Sequence, residues 1–257
     1  MTLKINGLVG GYSRIPVLKD ISFAVNSGQL VGLIGLNGAG KSTTINHIIG
    51  LLEPQKGSIT IDNVELKDDS KVYKGKLAYM PEMPVLYQEL TLKEHLELTI
   101  MAYNLEPTHT WKRATELLKV FRLDNKLDWF PANFSKGMRQ KVMIVCAFMT
   151  EAQVYVIDEP FLGLDPLATR DLLNLVDAEK KRGAAILMST HVLSTAQEYC
   201  DYFVLLHQGK IRAQGSLAEL RGIFNDNKAS LTDIYLGMTQ DGCLLYTSDA
   251  ADDTPCV

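Results

Sequence analysis

The 257-residue chain is poor in several features, and each shortage narrows its function. No apolar run approaches the roughly 18 residues that cross a bilayer. The longest, Val142 to Met149, is less than half that length. Met1 to Gly7 hold no positive patch followed by an apolar stretch, so no secretory signal is expected. The four cysteines lack the spacing of a metal site or a disulfide framework. Cys146 and Cys200 sit in apolar segments and are expected to be buried and inert. An excess of positive charge is missing too: the net charge is −4, which provides no general basic surface for nucleic acid. Repeats, low-complexity tracts and long heptad runs do not occur. His47, His95, His109 and His207 show no ligand spacing and are expected to be structural or surface residues. What remains is a cytoplasmic chain, 46% hydrophobic, able to bury a full core in one domain with a helical subdomain.

The most informative segment that is present begins with the run Leu30-Val31-Gly32-Leu33-Ile34. Short, apolar and bounded by glycine, it predicts a buried parallel strand. It leads into Gly35-Leu36-Asn37-Gly38-Ala39-Gly40-Lys41-Ser42-Thr43, the pattern of a phosphate-cradling loop, with a helix expected from Thr43 to Leu52. Glycines let the backbone bend where a side chain forbids it, so that successive N–H groups face the phosphates at the helix start. Lys41 is expected to reach the β- and γ-phosphates of ATP, and the Ser42 hydroxyl to hold Mg²⁺. Average residue frequencies give about one chance match in a hundred chains of this length. The strand before and helix after make a chance turn rarer still.

A second buried strand, Val154 to Ile157, ends in Asp158-Glu159-Pro160. Carboxylates at the carboxyl end of a parallel strand lie where open α/β sheets bind ligands. Asp158 is therefore a candidate for Mg²⁺, directly or through water, and Glu159 for polarising the water that attacks the γ-phosphate. The bland alternative for Asp158 is a helix cap or a surface charge. A third strand, Ala185 to Thr190, delivers His191, whose position suits a γ-phosphate sensor, although a lone histidine after a strand is usually a surface residue.

With these residues in hand, and with Phe134-Ser135-Lys136-Gly137-Met138-Arg139-Gln140-Lys141 a hundred residues further on, the chain resembles the ATP-binding subunits of ABC transporters. The resemblance covers residues 2 to about 240. It implies a P-loop NTPase core, α/β, with a mostly parallel sheet flanked by helices. An N-terminal antiparallel β addition (Leu3–Ile5 and Ile21–Val25) and a helical subdomain at about 82–150 are also implied. Helices are expected at Thr91–Asn104, at Thr110–Phe121, and from the signature motif to Thr150. Ser135 and Gly137, at the start of the signature helix, would contact the γ-phosphate held by an opposite subunit. Asp165, in Leu162-Gly163-Leu164-Asp165-Pro166, would cross the dimer interface. Tyr12 matches the aromatic that stacks on adenine, the alternative being a local turn tyrosine. The family works as a homodimer of nucleotide-binding domains, or paired with a sister subunit, beneath a separate multi-spanning membrane subunit at the inner face of the membrane.

Two departures from the broad pattern stand out. Glu82 occupies the place usually taken by a glutamine that touches Mg²⁺ and senses the membrane partner, and a carboxylate there is charge-dependent where an amide is not. Lys136 and Met138 replace the usual glycine and glutamine of the signature. With Val85 to Thr91 and Trp129-Phe130-Pro131-Ala132, these features resemble the Ecs-type bacterial ABC ATPases, a group associated with export or secretion. An importer ATPase and a soluble, non-transport ABC protein remain as alternatives. Met80, Met83, Leu86, Tyr87, Leu98 and Met101 form either a soft docking groove near Glu82 or part of the core. Trp129 and Phe130 either anchor the signature helix or meet the partner.

The last segment resembles something that is not protein design. Cys243-Leu244-Leu245-Tyr246-Thr247-Ser248 is encoded by one frame of a transposon-end adaptor used in sequencing libraries, and Asp249-Ala250-Ala251-Asp252 by the bases that follow. Residues 243–257 are therefore expected to be translated adaptor, the alternative being a natural acidic tail. The segment holds three aspartates and no Lys or Arg, so without it the net charge of −4 becomes −1.

Overall fold

The computed structural model describes residues 2–224 and 226–244. The expected adaptor segment lies outside the described residues apart from the backbone of its first two. In chain order the strands are β1 (Thr2–Gly10), β2 (Leu18–Asn26), β3 (Leu30–Ile34), β4 (Lys56–Ile61) and β5 (Val64–Glu65). They continue with β6 (Leu77–Met80), β7 (Val154–Asp158), β8 (Ala185–Thr190), β9 (Tyr202–His207) and β10 (Lys210–Gly215). The helices are α1 (Lys41–Ile48), α2 (Ser70–Gly75), α3 (Leu92–Tyr103), α4 (Pro107–Val120) and α5 (Lys136–Phe148). After these come α6 (Pro166–Arg182), α7 (Leu193–Tyr199), α8 (Leu217–Ile223) and α9 (Leu231–Leu244).

The larger sheet has the order β10-β9-β3-β8-β7-β6, parallel throughout except for the antiparallel edge strand β10. Every residue of β3, β7 and β8 is buried, as their unbroken apolar runs require when both faces are covered. Register places the chemistry. Ile34 lies opposite Thr190 and Asp158 opposite Ser189, so Gly35, Glu159 and His191 leave the sheet together at the carboxyl ends of its central strands. The antiparallel addition has the order β2-β1-β4-β5, two strands more than expected. Leu3, Ile5 and Val25 of this sheet share a core with Val31, Val156 and Leu187 of the other, and Ile45 and Ile48 of α1 complete it.

Helix boundaries differ from expectation where local chemistry sets them. The helix expected at Thr43–Leu52 runs from Lys41 to Ile48 because Gly50, at φ 80°, turns the chain and lets Leu51 N–H close on Asn46 O at 2.8 Å. Helix α4 starts three residues early: Pro107 suits a first helical position, and the Glu106 carboxylate caps the Thr108 and His109 amides. Thr91 and Glu94 form a reciprocal cap that opens α3.

Helices α3 to α5 build a lobe over β6 and β7, with Leu96, Leu118, Phe121, Val145 and Phe148 in its core. One buried carboxylate ties lobe to sheet. Glu179 of α6 pairs with Arg113 of α4 and with Arg182 (2.6 Å), and accepts from the Tyr155 hydroxyl of β7 at 3.2 Å. Arg113 Nε also donates to Phe148 O at 2.9 Å, closing the link to the end of α5. The apolar set near Glu82 divides: Met80 is core, whereas Met83, Tyr87, Leu98 and Met101 are exposed. Trp129 is an anchor, accepting from Leu92 N–H at 2.9 Å and stacking on Phe134 at 5.9 Å. Burial pushes the Cys146 thiol up to about 11 and Cys200 to about 12, in accord with inert cysteines. His47 and His95 are buried, the latter bridging Thr91 O and Tyr87 N–H, and His109 pairs with Glu151 at 2.7 Å.

Candidate functional site

The phosphate-loop segment follows β3 without a break. A Cβ on Gly35 would stand 2.7 Å from the Ala39 Cβ and 2.9 Å from the Leu206 carbonyl. Gly38 and Gly40 take φ of 82° and 112°, the left-handed region in which glycine alone is unstrained. Thr44 Oγ1 donates to Gly40 O at 2.9 Å and fixes the turn into α1. Lys41 is buried, and its Nζ donates to Gly35 O at 2.7 Å. Ser42 is exposed at the helix start and Thr43 is buried. A shallow cavity of about 250 Å³ lies in front, lined by Tyr12, Leu36, Asn37, Gly38, Lys41 and Ser42 among others. Tyr12 is exposed, and its hydroxyl accepts from Asn46 Nδ2 at 3.0 Å.

The carboxylates converge at the same end of the strands. Asp158 is buried at the end of β7 and accepts a hydrogen bond from Ser189 Oγ. Burial pushes its carboxyl above the usual range, and the Glu82 and Glu159 charges add to that push, while the Ser189 bond and Lys41 oppose it. Glu159 has a left-handed backbone, φ 45°, held by its N–H donating to Ser189 O at 3.2 Å and to Ser189 Oγ at 3.1 Å. Its two oxygens face different side chains: Oε1 lies 3.5 Å from Lys41 Nζ, and Oε2 lies 2.9 Å from His191 Nδ1. His191 N–H also donates to Oε2 at 3.3 Å. Lys41, Asp158, Glu159 and His191, read separately from the sequence, thus form one cluster. Glu82 is exposed beside it and acts on Asp158 and Tyr79 through its charge. Among the described residues no three His, Cys, Asp or Glu side chains gather as a metal cluster. The expected set of Ser42, Asp158 and Glu82 is one hydroxyl and two carboxylates.

Ser135, Gly137 and Asp165 gather elsewhere, with one another. Ser135 caps α5 by accepting from Met138 N–H at 3.3 Å. A Cβ on Gly137 would come within 2.7 Å of Gly163 O, so the signature turn packs directly on the 162–166 loop. Lys141 Nζ reaches Asp165 Oδ2 at 2.9 Å, while Asp165 Oδ1 caps α6 through Ala168 N–H at 2.8 Å. Among the described residues no hydrogen bond or ion pair joins these three to Gly35–Thr43 of their own chain.

The ABC transporter family model matches residues 18–162, from β2 through the phosphate loop and signature helix to the carboxylates. The chain belongs to the ABC transporter ATP-binding family. It is an ATP-binding, ATP-hydrolysing subunit of an ABC transporter. The ABC-type transporter ATP-binding protein EcsA of Bacillus subtilis (strain 168) is 56% identical over 239 residues, covering 93% of this chain and 97% of that protein. From the same organism, the SkfA peptide export ATP-binding protein SkfE is 32% identical over 209 residues, covering 81% and 87%. A solved ATP-binding subunit of an ABC transporter superposes with a TM-score of 0.91 at 53% identity, covering 93% of this chain and 100% of that one. ABC subunits of this kind typically dimerise and pair with a membrane subunit, and no helix among the described residues is long and apolar enough to cross a membrane.

One residue at the ABC site was missed in the sequence. Ser189 is fully buried and touches both Asp158 and the Glu159 amide, so it aligns the two carboxylates. A serine following the apolar run Ala185 to Met188 is the available signal. Ser189→Ala removes a hydrogen bond to a charged group and is expected to lower kcat about tenfold or more. Steady-state ATP hydrolysis checks this, and an unchanged kcat would count against the alignment role.

Proposed function

We propose that the chain closes around ATP as one half of a dimer, and that hydrolysis then separates the halves to drive an exporter. The observation that carries this reading is the meeting of Lys41 and His191 on opposite oxygens of Glu159 at the mouth of the phosphate loop. The amides of Asn37 to Thr43 cradle the phosphates, Lys41 turns to the β- and γ-phosphates, and Tyr12 stacks on the adenine. Glu159 takes the proton of the attacking water, and His191 reports the γ-phosphate to the segment that follows it. Ser42, Asp158 and Glu82 would hold Mg²⁺. They are hard oxygen donors, and the negative charge crowding the buried Asp158 suits a dication. Bound there, the ion would neutralise charge on the phosphate oxygens.

A second copy supplies the other wall. Ser135 and Gly137 offer the start of α5, with its unpaired N–H groups, to the γ-phosphate of the opposite chain, and Asp165 crosses the interface. Two observations support this: the cavity before the phosphate loop is shallow, and among the described residues no hydrogen bond or ion pair joins the signature residues to their own loop. The partner above is a separately encoded, multi-spanning membrane subunit of the Ecs type. It would dock where a groove of about 920 Å³ runs between α2 and the end of α3, past Leu51, Val72, Tyr79 and Tyr103. Through that subunit the chain sits at the inner face of the membrane. The Ecs-type features and the similarity to SkfE, a protein named for peptide export, favour export over import.

Light scattering tests the dimer. Ser135→Arg puts a bulky cation at the proposed interface, so the variant is expected to bind ATP with unchanged affinity yet stay monomeric, whereas a Glu159→Gln chain dimerises with ATP. A Ser135→Arg chain that still dimerises would overturn the composite site.

A further inference from the structure

The C-terminal helix carries a side chain that reaches the phosphate loop from 199 residues away. Tyr235 of α9 is 2% exposed, and its hydroxyl accepts from Leu36 N–H at 2.8 Å while lying 3.3 Å from Leu206 O, to which it donates. Leu36 N–H and Gly35 C=O belong to the same peptide group. The carbonyl end of that group accepts from Lys41 Nζ at 2.7 Å. One peptide plane is therefore gripped at both ends, by a tyrosine on one side and by the lysine of the phosphate loop on the other. A trans peptide is rigid, so fixing its N–H fixes where its carbonyl points.

The grip has firm backing. Tyr235 packs in a cluster with Ile34, Phe203, Leu205, Leu220 and Ile234. The first turn of α9 is pinned by Leu231 N–H donating to Gln197 Oε1 of α7 at 2.6 Å, and by Asp233 capping Ser230 N–H at 2.9 Å. A phenylalanine would fill the same space and keep the packing. It would leave the Leu36 N–H without its acceptor and the peptide held only through its carbonyl by Lys41.

We propose that Tyr235 is a positioning residue for nucleotide binding, its hydroxyl setting the Gly35–Leu36 peptide whose carbonyl holds Lys41. The inference rests on the reading of Gly35–Thr43 as the phosphate-binding loop. The test compares Tyr235→Phe with Ile234→Val, a packing change on the same helix, in the full chain. ATP affinity is measured by displacement of a fluorescent ATP analogue, KM and kcat by phosphate release, and Tm by calorimetry. Tyr235→Phe is expected to raise Kd and KM for ATP about tenfold, equivalent to about 1.4 kcal/mol, with kcat within about twofold. Ile234→Val is expected to lower Tm and leave KM in place.

A Tyr235→Phe chain with lowered Tm and unmoved KM has lost only a stabilising hydrogen bond, and the proposal fails. A fall in kcat alone would also overturn it. Lys41→Ala separates the two levels: if it leaves ATP binding intact, the loop assignment itself is wrong, whatever Tyr235 does. Hydrogen exchange on the unaltered chain gives a test that needs no variant. The Leu36 amide is expected to exchange more slowly than the neighbouring Asn37 amide, and equal rates would refute the grip.

Discussion

Glu159→Gln is expected to reduce ATP hydrolysis at least about a hundredfold while leaving ATP bound, the range lost when a general base is removed. The substitution keeps the size of the side chain and removes its charge and basicity. Nothing in the backbone need move, because the left-handed turn at Glu159 is held by its own N–H on Ser189 O and Oγ, not by the carboxylate. Lys41 loses a carboxylate 3.5 Å away and becomes more available to phosphate, so affinity for ATP should hold or rise. The expected product is a long-lived, ATP-bound dimer, seen as doubled mass by light scattering and as a loss of phosphate release. A variant that hydrolyses within threefold of the parent would remove Glu159 from the role of base and leave it as a partner for His191.

Glu179→Ala is expected to destabilise the chain by about 3 kcal/mol, since removing one partner of a buried ion pair leaves charge uncompensated. The figure is taken from the low end because the Arg182 side chain is 39% exposed and water can screen it. For a chain of this size that corresponds to a fall in Tm of roughly 6–12 °C. The consequence should not be uniform. Arg113 brings α4 of the lobe to Glu179 of α6, so α4 and the end of α5 should loosen first and lose amide protection before β3, β7 and β8 do. Exchange rates that rise equally in sheet and lobe would contradict a local tie. Replacing Glu179, Arg113 and Arg182 together by apolar residues should restore much of the loss, because no buried charge is then left alone.

Much of the candidate site is legible in the sequence because it is written in local pattern. The loop from Gly35 to Thr43 is one continuous motif. The strands Leu30–Ile34 and Ala185–Thr190 were bounded correctly, since strands buried on both faces appear as unbroken apolar runs. The antiparallel addition was half seen. β4 does alternate from Ser58 to Ile61, but over only four residues beside Lys56-Gly57, and β5 pairs through just two. Helix ends were misjudged where a cap decided them, as at Gly50 and Glu106, because periodicity fixes a helix's face better than its limits. What stayed hidden are contacts between distant segments: Ser189 on Asp158, Tyr235 on Leu36, Glu179 on Arg113. Each residue has an ordinary local context, and its role exists only once the fold brings the partner near.

The packing of Gly137 on the Gly163 carbonyl bears on how such a chain would change over generations. Gly137 is constrained by folding within one subunit before any nucleotide arrives. His191 is exposed, and its ring is held by Glu159 alone among the residues described. In a descendant lineage that ceased to hydrolyse ATP, selection would release His191 early. It would keep Gly137, leaving a glycine in the signature as a relic of packing and not as a mark of activity.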